Sequence, residues 1–360
     1  MSESIHLFAP DFSLKEETPI DRLGTYAFDL AHLIQEMGWG VEIHRMKEQE
    51  EERMIQGILL RDHSINVAKK AEGACIFLDF LSFSGWVRQG SLGVIQGMQW
   101  IREGETQEEK HKRAENVQQG LNQLYKLIVT DSYLLTYCRS VCTFPYNRVH
   151  FIPDGLNGEF YHSNPKEREE RSSVNIWMPL STEDKQGFLL SIEIADWLLE
   201  HHPTVKVCFT QPSSVNRELL WIYQRWQSHH LASERIETVD FGCALMRRDQ
   251  LWTTDILIHP HFNDTDSIDI CLEALACGVP IIASSFGRVN DWIIDSYNGY
   301  LTSPTLENVT QSALLLLDDP VRREVIGRRG RETVLRRGIQ KWRENWRSTL
   351  QKWKMGGDYS

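Results

Sequence analysis

The chain has 360 residues, enough for two domains of ordinary size, each with its own core. Its 41% hydrophobic and 25% charged residues exclude a disordered tail. A net charge of −11 argues against a protein that grips a long nucleic acid along its whole face. No stretch approaches the ~20 apolar residues of a membrane span, and Met1 to His6 lacks the regions of a signal peptide, so a cytoplasmic protein is expected. The seven cysteines are an odd number lying mostly in apolar runs, which fits reduced core thiols. Cys138 and Cys142 can share a helix face but have no nearby His or Cys pair, so no metal cage built by the protein is expected.

Ile5 to Ala9 is a short apolar run that ends at Pro10. After a polar loop, Leu23, Tyr26, Ala27, Leu30, Ala31, Leu33, Ile34 and Met37 recur at helical spacing, Gly38 and Gly40 punctuate, and Val41 to His44 reads as a second strand. Similar runs at Ala74 to Leu78, Gly93 to Ile95, Leu127 to Val129 and Val149 to Ile152 predict a parallel sheet covered by helices. The acidic cluster Glu48 to Glu52 and the run Lys110 to Arg113 read as solvated helix faces. Asn164 to Ser173, with Pro165 and a run of charges, reads as a linker.

The alternation then restarts. Strands are predicted at Asn175 to Met178, Val205 to Thr210, Asp255 to His259 and Pro280 to Ser284, with helices over 188–200, 216–226 and 268–277. The expected fold class is α/β, with two doubly wound Rossmann-like domains over 1–165 and 166–335 and a last basic helix over 336–360. Between His259 and Phe286 a strand ends, an acidic loop follows, a helix carries Glu273, and Gly278-Val279-Pro280 leads into the next strand. Helix N-terminal amides suit an anionic diphosphate, and a carboxylate can hold ribose hydroxyls.

The run Leu272 to Ser284, LEALACGVPIIAS, resembles the donor-site signature of the family-four (group 1) retaining glycosyltransferases. Phe286-Gly287, Asn298-Gly299-Tyr300-Leu301, Asp318-Asp319-Pro320, the Arg-rich segment from Val325 to Leu335, and the upstream run Arg148 to Leu156 extend the likeness. It implies the GT-B plan, in which the two domains face each other across a cleft, and transfer of a sugar from a nucleoside diphosphate carrier with retention. No cofactor beyond that co-substrate is implied. The glutamate matching Glu273 binds the donor ribose, Lys185 stands where a lysine neutralises the diphosphate, and Ala244, Ser267 and Ile268 complete the donor-binding set. Gly24 resembles the glycine that lets acceptor and donor phosphates approach the backbone.

Three positions depart from the pattern. Met178-Pro179-Leu180 stands where an arginine partner of Lys185 is expected. Thr265 replaces a glutamate eight residues before Glu273, and the spacing from His259-Pro260 makes Asp264 the substitute. Gly97-Met98-Gln99-Trp100 occupies the place of a histidine beside the donor sugar, where Gln99 can donate and accept a hydrogen bond but carry no proton charge. Asp264 and Gln99 are therefore the candidate catalytic residues. The departures keep open a non-catalytic nucleotide-sugar binder, and a nucleotide-sugar epimerase uses the same two-domain plan.

The acceptor is not named by any pattern. A glycan or lipid-linked sugar is the common acceptor of the family, and a modified DNA base is allowed by the basic tail. From Val321 to Gly357 twelve Lys and Arg stand against three Glu, and Leu335, Ile339, Trp342, Trp346, Leu350 and Trp353 form one stripe. Such a helix either packs onto the first domain or lies on a membrane surface. The docked arrangement is expected, because three tryptophans on one stripe are costly to leave in water.

Overall fold

The computed structural model describes residues 4–15, 17–19, 21–96, 106–141, 143–163, 172–212, 216–230, 233–239, 243–262 and 268–356. The chain divides into two compact units, unit 1 of Met1–Asp154 with Gln340–Ser360 and unit 2 of Gly155–Ile339. The first division thus falls after Asp154, ahead of the expected boundary at 165, because the run that follows, Gly155 to Ser163, packs with unit 2. Of the expected linker Asn164 to Ser173, residues 164–171 lie outside the described residues.

In unit 1 the elements are β1 (Ile5–Ala9), β2 (Leu14–Lys15), β3 (Thr18–Pro19), α1 (Arg22–Glu36), β4 (Val41–Met46), β5 (Glu51–Ile55), β6 (Ile58–His63), α2 (Ile65–Ala68), β7 (Ala74–Phe77), α3 (Phe80–Phe83), β8 (Ser91–Ile95), α4 (Gln107–Gln123), β9 (Leu124–Val129), α5 (Ser132–Val141) and β10 (Val149–Phe151). An eight-stranded sheet runs in the order β10-β9-β8-β7-β1-β4-β6-β5. Its pairs are parallel except at the edge, where β5 runs antiparallel to β6. Among the central strands, β1 and β8 are buried at every residue, which explains why they read as mainly apolar runs.

The β5–β6 hairpin corrects the helical reading of Glu48 to Glu52. Glu51 and Glu52 lie on an exposed edge strand, and the turn at Gln56-Gly57 takes positive φ at both residues (51° and 79°), the twist that a two-residue hairpin requires. An edge strand keeps its charges in water, so its polarity hid its strand character.

Unit 2 holds β11 (Val174–Met178), α6 (Lys185–His201), β12 (Val205–Thr210), α7 (Arg217–His229), β13 (Ile236–Val239), α8 (Ala244–Thr253), β14 (Ile256–His259), α9 (Ile268–Ala276), β15 (Ile281–Ser284), α10 (Val289–Trp292), β16 (Tyr300–Thr302), α11 (Leu306–Leu317) and α12 (Pro320–Arg337). The six strands run β13-β12-β11-β14-β15-β16, all parallel. Numbered from β11, this is the 3-2-1-4-5-6 order of a dinucleotide-binding sheet, whose direction of winding reverses between β11 and β14. Behind the sheet, α12 crosses α9 closely. A Cβ at Gly327 would stand 2.1 Å from the Gly278 carbonyl oxygen, so only glycine permits that approach.

The last helix, α13 (Ile339–Lys354), belongs to unit 1 from Gln340 onward. Trp342, Trp346 and Leu350 are buried. Trp346 Nε1 donates to the Tyr26 hydroxyl at 3.0 Å, Trp342 meets the Tyr26 ring edge-on at 5.3 Å, and Trp353 Nε1 donates to the Gly90 carbonyl at 2.7 Å. Arg343 and Arg347 both reach Glu36 at the end of α1. Leu335 is not part of this stripe: it lies on α12, exposed, with the break at Gly338 between.

Candidate functional site

The winding reversal between β11 and β14 is where a doubly wound sheet opens a crevice beyond its carboxyl ends. Here the two strand-end loops are tied together. Asp184 caps α6 by accepting from Gly187 N at 3.0 Å, and its other oxygen accepts from Phe262 N at 2.6 Å, just past β14. The buried His261 lies between two acceptors, with Nδ1 3.1 Å from Asp184 Oδ2 and Nε2 3.0 Å from the Pro179 carbonyl oxygen. Satisfying both contacts takes a proton on each ring nitrogen. Burial works against the Asp184 carboxylate, yet His261 and the Gly187 and Phe262 amides hold its pKa below the ordinary value. Pro179, a departure from the family pattern, thus anchors His261 through its carbonyl.

Lys185 is the first residue of α6 and not a loop residue. Its ammonium is exposed and pairs with Glu218 at 2.8 Å. An exposed pair of this kind is worth little and yields easily to an anion.

Glu273 lies on α9 and is buried at 3% exposure. Its Oε2 accepts from Arg247 Nε at 2.8 Å, and its Oε1 accepts from Arg247 Nη2 at 2.7 Å and from the Tyr161 hydroxyl at 2.6 Å. Burial pushes the Glu273 carboxyl up, and Arg247 and Tyr161 pull it back toward the ionised form. Arg247 comes from α8, whose first residue is Ala244. At the start of α9, Asp269 lies 3.8 Å from the buried Arg288, which follows β15 and the positive-φ Gly287 (63°).

Unit 1 has its own polar knot at the carboxyl edge of its sheet. Arg22, at the start of α1, donates to the Gln96 carbonyl at 2.7 Å and to Thr130 Oγ1 at 3.3 Å, and it pairs with Asp154. Gly24 lies one turn along, its amide held by Asp21 at 2.8 Å. A Cβ there would meet Phe12 at 2.8 Å and Pro19 at 3.1 Å, so the chain's own loop already requires this glycine.

Lys185, Ala244 and Glu273 thus all lie in unit 2, on the first turns of α6 and α8 and in the body of α9, while Gly24 lies in unit 1. Gln99, Asp264 and Ser267 fall outside the described residues, and Ile268 is described only as the first backbone position of α9. Sequence reading missed Arg247, Tyr161, Asp184, His261 and Arg22. Each is defined by a partner that is far away in the chain, 112 residues in the case of Tyr161 and Glu273.

Residues 253–333, which include α9, β15 and most of α12, match the family described as "Glycosyl transferases group 1". The chain is a GT-B protein that resembles the group 1 glycosyltransferases. The GT-B fold is shared with sucrose-phosphate synthase from Thermosynechococcus elongatus (TM-score 0.78, 14% identity, 98% of this chain and 100% of that one). It is shared too with Anabaena HepE in complex with UDP and glucose (TM-score 0.73, 11% identity, 97% and 100% covered). WaaG, a glycosyltransferase involved in lipopolysaccharide biosynthesis, is similar over 95% of this chain and 98% of its own (TM-score 0.72, 11% identity). In sequence, this GT-B chain is 29% identical over 113 residues to a GDP-mannose-dependent monoacylated alpha-(1-6)-phosphatidylinositol monomannoside mannosyltransferase of Corynebacterium glutamicum. That match covers 29% of this chain and 30% of the relative's length. No described helix is long and apolar enough to cross a membrane.

Proposed function

We propose that the protein transfers a sugar from a nucleoside diphosphate sugar to an acceptor hydroxyl, with retention of configuration. The observation that carries this reading is the buried, ion-paired Glu273 inside the group 1 glycosyl transferase segment 253–333. A carboxylate paired with Arg247 beside a nucleotide-type winding reversal suits a ribose diol, because an acceptor with carboxylate character bonds hydroxyls more strongly than a neutral one. Oε1 already takes the shortest contacts from Arg247 and Tyr161, so Oε2, which accepts from Arg247 Nε alone, has the lone pair left for a ribose hydroxyl.

As the sugar bond breaks, charge builds on the diphosphate. The amides near Ser267 and Ile268, with Lys185 released from Glu218, would stabilise that charge and so assist departure. Asp264 and Gln99 orient the donor sugar, Ala244 flanks the nucleotide, and the Gly24 region of unit 1 receives the acceptor. No metal or further cofactor enters this scheme. Among the described residues, the buried free thiols Cys75, Cys138, Cys208, Cys271 and Cys277 support a cytoplasmic, reducing location.

The test is a donor panel that includes UDP-glucose and GDP-mannose, chosen because HepE was solved with UDP and the Corynebacterium relative is GDP-mannose-dependent. Lipid-linked, glycan and modified-DNA acceptors are supplied, and products are read by mass. A transferred sugar on any acceptor supports the reading, whereas conversion of donor without acceptor identifies an epimerase. Tight donor binding with no turnover identifies a non-catalytic binder, the reading that Pro179 in the place of an arginine favours.

A further inference from the structure

A row of three buried histidines crosses unit 1 on neighbouring strands: His6 on β1, His44 on β4 and His63 on β6. His6 Nδ1 lies 2.8 Å from His44 Nε2, and His44 Nδ1 lies 2.7 Å from His63 Nε2. The two outer nitrogens face carbonyl oxygens, His6 Nε2 that of Glu72 at 2.8 Å and His63 Nδ1 that of Ser64 at 3.1 Å. Carbonyl oxygens only accept, so both outer nitrogens carry protons. A neutral ring has one N–H, which leaves His63 Nε2 as an acceptor and makes His44 Nδ1 its donor. His6 Nδ1 and His44 Nε2 are then two bare lone pairs aimed at each other across 2.8 Å. Four contacts need four protons, and three neutral imidazoles supply three. Something positive belongs between His6 and His44.

The register puts a carboxylate beside that gap. Glu42 pairs with His6 across β1 and β4, and its Oε2 lies 3.8 Å from His44 Nε2. One ligand atom from each of His6, Glu42 and His44 falls within 4.8 Å of the other two. We propose that His6, His44 and Glu42 form a binding site for a divalent transition-metal ion of the zinc type. Two neutral imidazoles and one carboxylate are a donor set such ions take, with a fourth position left to water. The carbonyls of Glu72 and Ser64 do what outer partners of metal-bound histidines do: they fix the tautomers so that the inner nitrogens present lone pairs. Metal–nitrogen distances of about 2.0–2.1 Å ask the two rings to part by roughly half an ångström. Glu42 is shared with Arg61 at 2.8 Å, and Arg61 keeps Glu52 when Glu42 turns to the ion. The partly exposed side chains of Glu42 and Arg61 give the ion its way in. Neither cysteine nor histidine spacing announces this site, because its ligands meet only through strand register.

The test uses the full chain stripped with a chelator and titrated with Zn2+ by calorimetry and with Co2+ by visible absorption. The expected result is one ion per chain, the intense visible bands of four-coordinate Co2+, and a melting temperature that rises with Zn2+. Glu42→Gln, at a partly exposed position that leaves the core intact, weakens binding at least tenfold, as does His6→Gln, while the surface control His201→Ala/His202→Ala leaves it unchanged. Absence of a saturable site in the folded wild type overturns the proposal, and so does a site that survives Glu42→Gln.

Discussion

Arg247 grips the Glu273 carboxylate with two N–H donors, Nε to Oε2 at 2.8 Å and Nη2 to Oε1 at 2.7 Å, in a part of unit 2 where Glu273 has almost no contact with water. Removing one member of such a pair strands the other. Arg247→Met, and likewise Glu273→Leu, is therefore expected to cost about 3–5 kcal/mol of stability by stranding its partner, whereas the double variant Arg247→Met/Glu273→Leu recovers most of that loss. Denaturant melts of the two single variants and the double complete the cycle. Additive losses in the double would contradict a coupled pair.

The α13 docking gives a second prediction. Trp346 is fully buried and bonded to Tyr26, so Trp346→Ala lowers stability by about 3–5 kcal/mol and deletion of 339–360 destabilises unit 1 as a whole. Tyr26→Phe, which loses one hydrogen bond and little volume, costs about 1 kcal/mol. A truncated protein with an unchanged melting temperature and lost vesicle binding would show the helix working on membranes instead.

Asp29, on α1, sets a pH dependence. Burial pushes its pKa up to about 6, against the opposing pull of His32 and Arg343. The folded value exceeds the unfolded one, so its contribution is fully present below about pH 4 and is lost as pH rises through 6; the loss at neutral pH is at most about 3 kcal/mol. Asp29→Asn is expected to raise the melting temperature at pH 7 and leave it nearly unchanged at pH 4. Equal shifts at both pH values would refute the assignment.

Asp184 has the opposite sign. Its pKa is held down, so its contribution is present above about pH 4 and fades as pH falls further. Asp184→Asn keeps one acceptor for the Gly187 or Phe262 amide and loses the ionic contact to His261, a cost of about 1–3 kcal/mol. Melts from pH 7 down to 3 should show the variant's deficit shrinking with acid; a constant deficit would mean that charge plays no part.

The two parallel sheets were legible because buried strands leave unbroken apolar runs, and Val205–Thr210 has the same limits in sequence and structure. The edge hairpin Glu51–His63 was not, since its exposed face is charged. Of the proposed site, Glu273 and Lys185 are the residues that carry a local pattern. Arg247, Tyr161 and His261 do not, because a buried ion pair is a property of two chain segments brought together, and neither segment alone carries its mark.

The account rests most heavily on Glu273 holding the donor's ribose. Calorimetric titration of UDP and GDP into the wild type and into Glu273→Gln, with the melting temperature of each recorded as a fold control, addresses it directly. We predict saturable binding of one of the two nucleotides by the wild type and about 10- to 100-fold weaker binding by the folded variant, the scale of one or two hydrogen bonds to a charged acceptor. Equal affinity in both proteins, or no binding of either nucleotide to the folded wild type, would contradict it.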